Sequence, residues 1–387
     1  MERFIPLGNE ALAQGALDAG LSGVYAYPGT PSTEITEYIQ RSKETAQRGI
    51  HSAWSANEKT AMETALGMSY AGKRAMVCMK HIGLNVAADP FMNSAITGVN
   101  GGLICAVADD PSMHSSQNEQ DSRTYGRFAQ VPTLEPSNQQ EAYDIPFYAF
   151  ELSERYSIPV LVRLTTRLSH SRANVTRREP IPEKPLALPA NPLQFVLLPA
   201  IARRNYAGLL KKERDFAAES EISALNRYQE GEDKTIGFLA CGIAYNYLME
   251  NFPDGCPHPV LKIGQYPLPN RLVARLVEEC QSILVLEEGM PLVEERLHGY
   301  PFDTGQVHGR LDGRLPRAGE LNPTLVAAAL GHGFKTSYVV PEIVAVRPPQ
   351  LCQGCPHGDT FNALNAALES YSKGRVFSDI GCYTLGV

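Results

Sequence analysis

The sequence predicts an α/β protein built on a doubly wound parallel sheet, and three observations lead there. Short apolar runs of strand length alternate with amphipathic stretches of helix length along most of the chain. The connections between them are short and carry Gly, Pro, Asn and Ser. Crossovers of this kind return the chain to the same end of a sheet, so successive strands run parallel and the helices cover both faces.

In chain order, a helix is expected over 10–19, opened by Gly8-Asn9, and then a strand over 24–27 that stops at Pro28-Gly29. Thr30-Pro31-Ser32-Thr33-Glu34 starts the next helix, because a hydroxyl ahead of proline and an acid in the first turn suit the free amides and positive end of a helix. The alternation continues through strand 51–55, helix 57–71, strand 74–80, helix 85–97 and strand 102–108. A polar loop, a helix over 139–156 interrupted at Pro146, and a strand over 159–163 complete the first unit. Near Arg172 the composition shifts. Residues 173–232 mix prolines, the basic pairs Arg177-Arg178, Arg203-Arg204 and Lys211-Lys212, and a helical stretch over 200–228, which reads as a connecting segment on the surface. A second α/β unit follows, with strands over 235–240, 260–263 and 282–287 and helices over 244–251, 270–279 and 291–298. The last stretch opens at Arg347-Pro348-Pro349 and runs through Cys352-Gln353-Gly354-Cys355 into a helix over 360–371 and a strand over 375–379.

Composition excludes several classes of function. Lys and Arg number 35 against 42 Asp and Glu, a net charge of −7 with no basic stripe, which argues against a grip on nucleic acid or on an anionic membrane. No apolar run reaches the roughly 18 residues of a membrane helix. The opening residues lack the apolar core of a secretion signal, so a cytoplasmic location is expected. The eight cysteines are scattered, several within apolar runs, as buried thiols rather than a disulfide framework.

Ligands of open parallel sheets lie beyond the carboxyl ends of the strands. In the first unit those ends carry Tyr27-Pro28-Gly29-Thr30, Asn57-Glu58, Lys80-His81 with Asn85, and a polar run over 109–123. A carboxylate, an ammonium group, imidazoles, hydroxyls and amides on one rim make a catalytic inventory. Each also has a plain alternative: an acid in a first helical turn, an exposed Lys-His loop pair, a solvated loop. The 109–123 run has no metal-ligand spacing, and no metal site is expected within this chain. Cys352-Gln353-Gly354-Cys355 is a lone CxxC, compatible with half a zinc site, a redox pair, cluster ligands or a tight turn with two buried thiols. No P-loop, no GxGxxG after a strand and no GxSxG is present.

Tyr27-Pro28-Gly29-Thr30-Pro31-Ser32-Thr33-Glu34, Asn57-Glu58-Lys59, Met79-Lys80-His81-Ile82-Gly83-Leu84-Asn85 and the 109–123 run resemble the alpha subunits of indolepyruvate:ferredoxin oxidoreductases. The resemblance continues through Leu164-Thr165-Thr166-Arg167, Leu286-Glu287-Glu288-Gly289-Met290-Pro291, Cys352-Gln353-Gly354-Cys355-Pro356-His357 and Ser378-Asp379-Ile380-Gly381-Cys382-Tyr383, leaving out only the connecting segment. Two positions depart from the family pattern: Gln353 replaces a usual proline, and Gly358 stands where an arginine follows Cys-Pro-His.

The resemblance implies a thiamine diphosphate (TPP) fold. Residues 1–172 would form a pyrimidine-binding domain, 173–232 the connection, 233–345 a transketolase C-terminal-like domain, and 346–387 an incomplete third α/β domain, the start of a diphosphate-binding domain. It implies TPP with Mg2+ as cofactor, with iron-sulfur clusters outside this segment. Glu58 would be the catalytic carboxylate, bonding N1′ of the aminopyrimidine. Thr30, Lys80, His81 and Asn85 would line the cofactor, the first three also touching substrate, and Asp379, Gly381 and Cys382 would begin the diphosphate turn. The implied reaction is oxidative decarboxylation of an arylpyruvate to an acyl-CoA, with electrons passed to ferredoxin. The implied partners are a small beta subunit, ferredoxin, coenzyme A and a second copy in a dimeric core; this chain alone is expected to be inactive. The alternatives are a non-oxidative 2-oxoacid decarboxylase on the same cofactor and a catalytically silent subunit-binding scaffold.

Overall fold

The structure is a computed structural model that describes residues 3–299, 304–332, 341–345, 350–372, 374–376 and 385. Residues 1–334 form one compact unit and 335–387 another.

The first unit holds a seven-stranded sheet whose order across the sheet is Gln265–Tyr266, Thr133–Leu134, Val160–Thr165, Leu103–Asp109, Ala75–Lys80, Gly23–Ala26 and His51–Trp54. All neighbours run parallel except the outermost pair, where Gln265–Tyr266 lies antiparallel to Thr133–Leu134. The central strands are buried on both faces, as near-continuous apolar runs such as Leu103-Ile104-Cys105-Ala106-Val107-Ala108 require. Helices Gly8–Asp18 and Gln139–Tyr156 cover one face around Leu12, Leu17, Tyr143 and Phe150, and Glu58–Tyr70 and Ala88–Thr97 cover the other around Met62, Ala65 and Phe91. A second sheet, five-stranded, has the order Val307–His308, Ile283–Leu286, Gly237–Cys241, Val260–Ile263 and Arg227–Gln229.

The expected α/β class with parallel sheets is therefore what forms, with local differences. Gln139–Tyr156 runs as one helix through Pro146 rather than breaking there. Its fully buried face, held by Ala142, Ile145, Ala149 and Leu152, outweighs the hydrogen bond that proline removes. The helix expected over 85–97 starts earlier and divides into His81–Val86 and Ala88–Thr97. The connecting segment is less superficial than expected. Its helix, Pro199–Ile222, buries Leu209 and Phe216 beside the Glu58–Tyr70 side of the sheet, Phe216 meeting Tyr156 edge-on at 5.3 Å. Before that helix the chain lies against the first unit through Ile181 N to Asp18 O at 2.8 Å and Ala187 N to Ala71 O at 2.9 Å. Arg227 and Tyr228, expected at the end of that helix, instead join Gln229 in a strand that pairs with Val260–Ile263.

In residues 335–387, Cys355 N donates to Cys352 O at 3.0 Å across a tight turn with Gly354 at φ +73°, and helix Pro356–Leu368 follows. The turn is as expected, but the thiols are not buried: Cys352 is exposed and Cys355 half-buried, its Sγ 3.1 Å from His357 Nδ1. Of the strand expected over 375–379, Arg375 and Val376 are irregular and the remainder lies outside the described residues.

Candidate functional site

Four parallel strands end on one rim, and the turns after them hold most of the residues singled out from the sequence. The turn after Gly23–Ala26 is tightly pinned. Ser32 Oγ donates to Gly29 O at 2.7 Å, Gly29 N donates to Thr33 Oγ1 at 2.9 Å, and the buried Asn9 Nδ2 donates to Pro31 O at 2.7 Å and to Glu34 Oε2 at 2.9 Å. Thr30 is exposed at the crest of this turn.

Glu58 opens helix Glu58–Tyr70, with Asn57 as its cap: Asn57 Oδ1 accepts from Thr60 N at 2.9 Å. Among the described residues no side chain hydrogen-bonds the Glu58 carboxylate, which is half-buried against Gly83 on the neighbouring turn. A Cβ on Gly83 would sit 2.4 Å from Oε1 and 2.6 Å from Cγ of Glu58. Glycine there is what leaves the carboxylate its place. Burial pushes the Glu58 carboxyl up, against the pull of its own amide and of the Lys80 ammonium.

Lys80 ends its strand and lays its stem over Gly29, whose added Cβ would be 3.0 Å from Lys80 Cδ. Its Nζ donates to Ser115 O at 3.1 Å. Burial pushes this ammonium down, opposed by the carboxylates of Asp110 and Glu58. His81 is buried, with Nε2 3.1 Å from Asn118 O and Nδ1 without a partner among the described residues; the exposed-loop alternative for it does not hold. Asn85 is exposed and its Oδ1 accepts from Tyr125 OH at 2.5 Å. His81 and Asn85 share an open cavity of about 250 Å³ with Asp121, Ser122, Tyr125 and Met290. Thr30, Glu58, Lys80, His81 and Asn85 are thus brought together; Asp379, Gly381 and Cys382 lie outside the described residues.

The charged network beneath the rim is not legible as a network in the sequence. Arg163, buried inside Val160–Thr165, bonds Asp109 at 2.6 Å, Glu135, and the Glu288 carbonyl at 3.1 Å, with Asp121 3.5 Å away. Arg123, equally buried, bonds Asp121 at 2.5 Å and Glu287 at 2.9 Å and donates to the carbonyls of Glu288 and Met290. Tyr266 OH donates to Glu135 Oε2 at 2.9 Å. Both guanidiniums therefore join the loop after Leu103–Asp109 to the turn after Ile283–Leu286. Nearby, Glu288 accepts from Leu321 N at 3.1 Å, and burial pushes its carboxyl up to about 8 against that bond and the Arg310 charge. An arginine amid the apolar run Val160-Leu161-Val162-Arg163-Leu164 was the available signal, because a guanidinium inside a sheet must find carboxylates.

The Glu58 carboxylate, unpaired among the described residues, and the rim of donors fit an aminopyrimidine cofactor with a ring nitrogen to protonate. Among the described residues no cluster of His, Cys, Asp and Glu suited to a metal ion is found, and no helix is long and apolar enough to cross a membrane.

Residues 14–194 match the family model "Pyruvate flavodoxin/ferredoxin oxidoreductase, thiamine diP-bdg". The whole chain is 41% identical to the indolepyruvate oxidoreductase subunit IorA of Archaeoglobus fulgidus, covering 64% of that protein. It is 42% identical to the IorA subunit of Methanothermobacter marburgensis, again over the whole chain and 65% of that protein. The chain thus spans a little under two thirds of these relatives. Among solved structures, the 2-oxoglutarate:ferredoxin oxidoreductase from Magnetococcus marinus is similar in fold, with a TM-score of 0.69 at 15% identity, over 85% of this chain and 65% of that one.

Proposed function

We propose, from the thiamine diphosphate-binding family match at residues 14–194 and the similarity of the whole chain to IorA subunits, that the chain is all or part of the alpha subunit of an arylpyruvate:ferredoxin oxidoreductase. The complete enzyme would decarboxylate an arylpyruvate oxidatively, pass two electrons to ferredoxin and release an acyl-CoA. That requires Mg2+ with the TPP, iron-sulfur clusters outside this chain, a small beta subunit, and a second copy in a dimeric core. In this reading 1–172 is the pyrimidine-binding domain, 173–232 the connection, 233–345 the transketolase-like domain and 346–387 the start of the diphosphate-binding domain, with Asp379, Gly381 and Cys382 in its first turn.

The observation that carries the proposal is the Glu58 carboxylate, half-buried, without a side-chain partner among the described residues and given room by Gly83. When bound, TPP supplies the electron sink for carbon-carbon cleavage. Glu58, its carboxyl raised by burial, would hold a proton at N1′ of the aminopyrimidine. Lys80, at the end of its strand, would pair with the carboxylate of the 2-oxo acid. The Thr30 hydroxyl, exposed on its pinned turn, and the Asn85 amide would orient cofactor and substrate between them. His81 would reach the site through the loop it holds, since its Nε2 is engaged by the Asn118 carbonyl.

The test is Glu58→Gln in the assembled enzyme. Deuterium exchange at C2 of bound TPP should fall by at least about 100-fold while the fold and cofactor binding persist. Unchanged exchange would remove Glu58 from this role.

A further inference from the structure

After Leu103–Asp109 the chain crosses the rim as a closed loop before helix Arg123–Ala129, and the loop is gathered on one carboxylate. Asp110 is fully buried and makes no ion pair among the described residues, yet three donors converge on it. Its Oδ1 accepts from Thr166 Oγ1 at 2.6 Å, and its Oδ2 from Ser116 Oγ at 2.7 Å and Ser115 N at 2.8 Å, with Ser115 Oγ 3.3 Å away. Its carbonyl accepts from Met113 N at 3.0 Å, and Ser112 N donates to Glu119 Oε2 at 2.9 Å. Ser112 and Met113 have φ of +73° and +54°, conformations that non-glycine residues hold only when their surroundings impose them.

What the loop presents inward is specific. Ser115 O accepts from Lys80 Nζ at 3.1 Å, Ser115 Oγ donates to Thr30 O at 3.1 Å, and Asn118 O meets His81 Nε2 at 3.1 Å. One side chain therefore fixes the loop, and the loop fixes three residues of the rim.

We infer that Asp110 is the positioning residue of this rim, setting the Lys80 ammonium and the Thr30 turn through Ser115 and Ser116. It touches neither cofactor nor substrate in this scheme. Its link to a 2-oxo carboxylate rests on the proposed role of Lys80. Hydrogen bonds from hydroxyls and an amide to an ionised carboxylate are stronger than those between neutral groups, which suits a carboxylate asked to hold a loop. Burial works to raise the Asp110 carboxyl, but Thr166, Ser115 and Ser116 outweigh it and keep the group ionised, facing Lys80 and His114.

The test uses the full chain with Asp110→Asn, which keeps the side chain's shape, and Ser115→Ala, which keeps the backbone carbonyl that Lys80 reaches. Acetylation of Lys80 by a neutral active ester, followed by peptide mass spectrometry, should speed up about tenfold in Asp110→Asn and a few-fold in Ser115→Ala. Lys59 and Lys73, paired elsewhere, should label at the wild-type rate. Amides of residues 112–118 should exchange faster in both variants. Lys80 labelling within twofold of wild type in both would overturn the inference. In the assembled enzyme, Asp110→Asn should raise KM for the 2-oxo acid by more than it lowers kcat, and Lys80→Met should make that change silent. Faster labelling with no change in KM would keep Asp110 as the positioner of Lys80 and remove Lys80 from substrate binding.

Discussion

Replacing Gly83 by alanine tests the geometry of the site without touching a charged group. The new methyl carbon would lie 2.4 Å from Oε1, 2.6 Å from Cγ and 2.8 Å from Cδ of Glu58. Relaxed contacts between heavy atoms need roughly 3.5 Å, so the carboxylate must retreat by about 1 Å. A misplacement of about 1 Å at a reacting group costs on the order of 100-fold in rate. Stability should move little. Alanine in a helix is favoured over glycine by about 1 kcal/mol, and an off-rotamer Glu58 costs about as much. The assay is deuterium exchange at C2 of TPP bound to the assembled enzyme, read by proton NMR beside a thermal melt. The expected result is a loss of about 100-fold in exchange with the melting temperature within a few degrees of wild type. Glu58→Asp, which shortens the acid, should cost less in the Gly83→Ala background than alone, because both changes act on one contact. Exchange within threefold of wild type in a folded Gly83→Ala protein would refute the argument that this glycine makes room for a working carboxylate.

Two further outcomes concern the charged network beneath the rim. Arg163→Ala would leave Asp109 and Glu135 in the interior without their guanidinium, Asp121 keeping Arg123, and a loss of about 3–5 kcal/mol is expected from the denaturant midpoint; a loss below about 1 kcal/mol would show the network to be slack. Glu288 is raised by burial from 4.5 to about 8, so its contribution is fully present below about 4.5 and is lost as pH rises to about 8. Glu288→Gln keeps an acceptor for Leu321 N and removes that titration, so its stability relative to wild type should climb by up to about 1.4 kcal/mol per pH unit over this window and level off above it. A difference independent of pH, from urea titrations at three pH values, would contradict the burial assigned to Glu288.

The sequence shows the elements whose physics is local. Period and punctuation mark the central parallel strands to within a residue or two, and helix Asn270–Glu279 falls where Pro269 and the i, i+3, i+4 pattern of Val273, Leu276 and Val277 put it. Glu58 is legible because helix starts and strand ends can be found from residues near them. The two-residue strands Thr133–Leu134, Gln265–Tyr266 and Val307–His308 are not, since two residues have no period and their pairing depends on partners far along the chain. The network is hidden for the same reason: Arg123 lies 164 residues from Glu287, its ion-pair partner. Asp110 looked like part of a solvated loop because polarity alone does not distinguish side chains facing water from those facing one another.

The border strand Gln265–Tyr266 has a practical side. The first sheet is finished by residues that come after the first strands of the second sheet, so it is whole only when the later part of the chain is present. A polypeptide ending near residue 172 would leave Thr133–Leu134 as an open edge able to pair with another molecule. It would also leave Arg123 without Glu287 and without the carbonyls it holds. Protease nicking between 173 and 232 should yield two fragments that elute together until denatured, and melting should show one transition for residues 1–334 rather than one for each sheet.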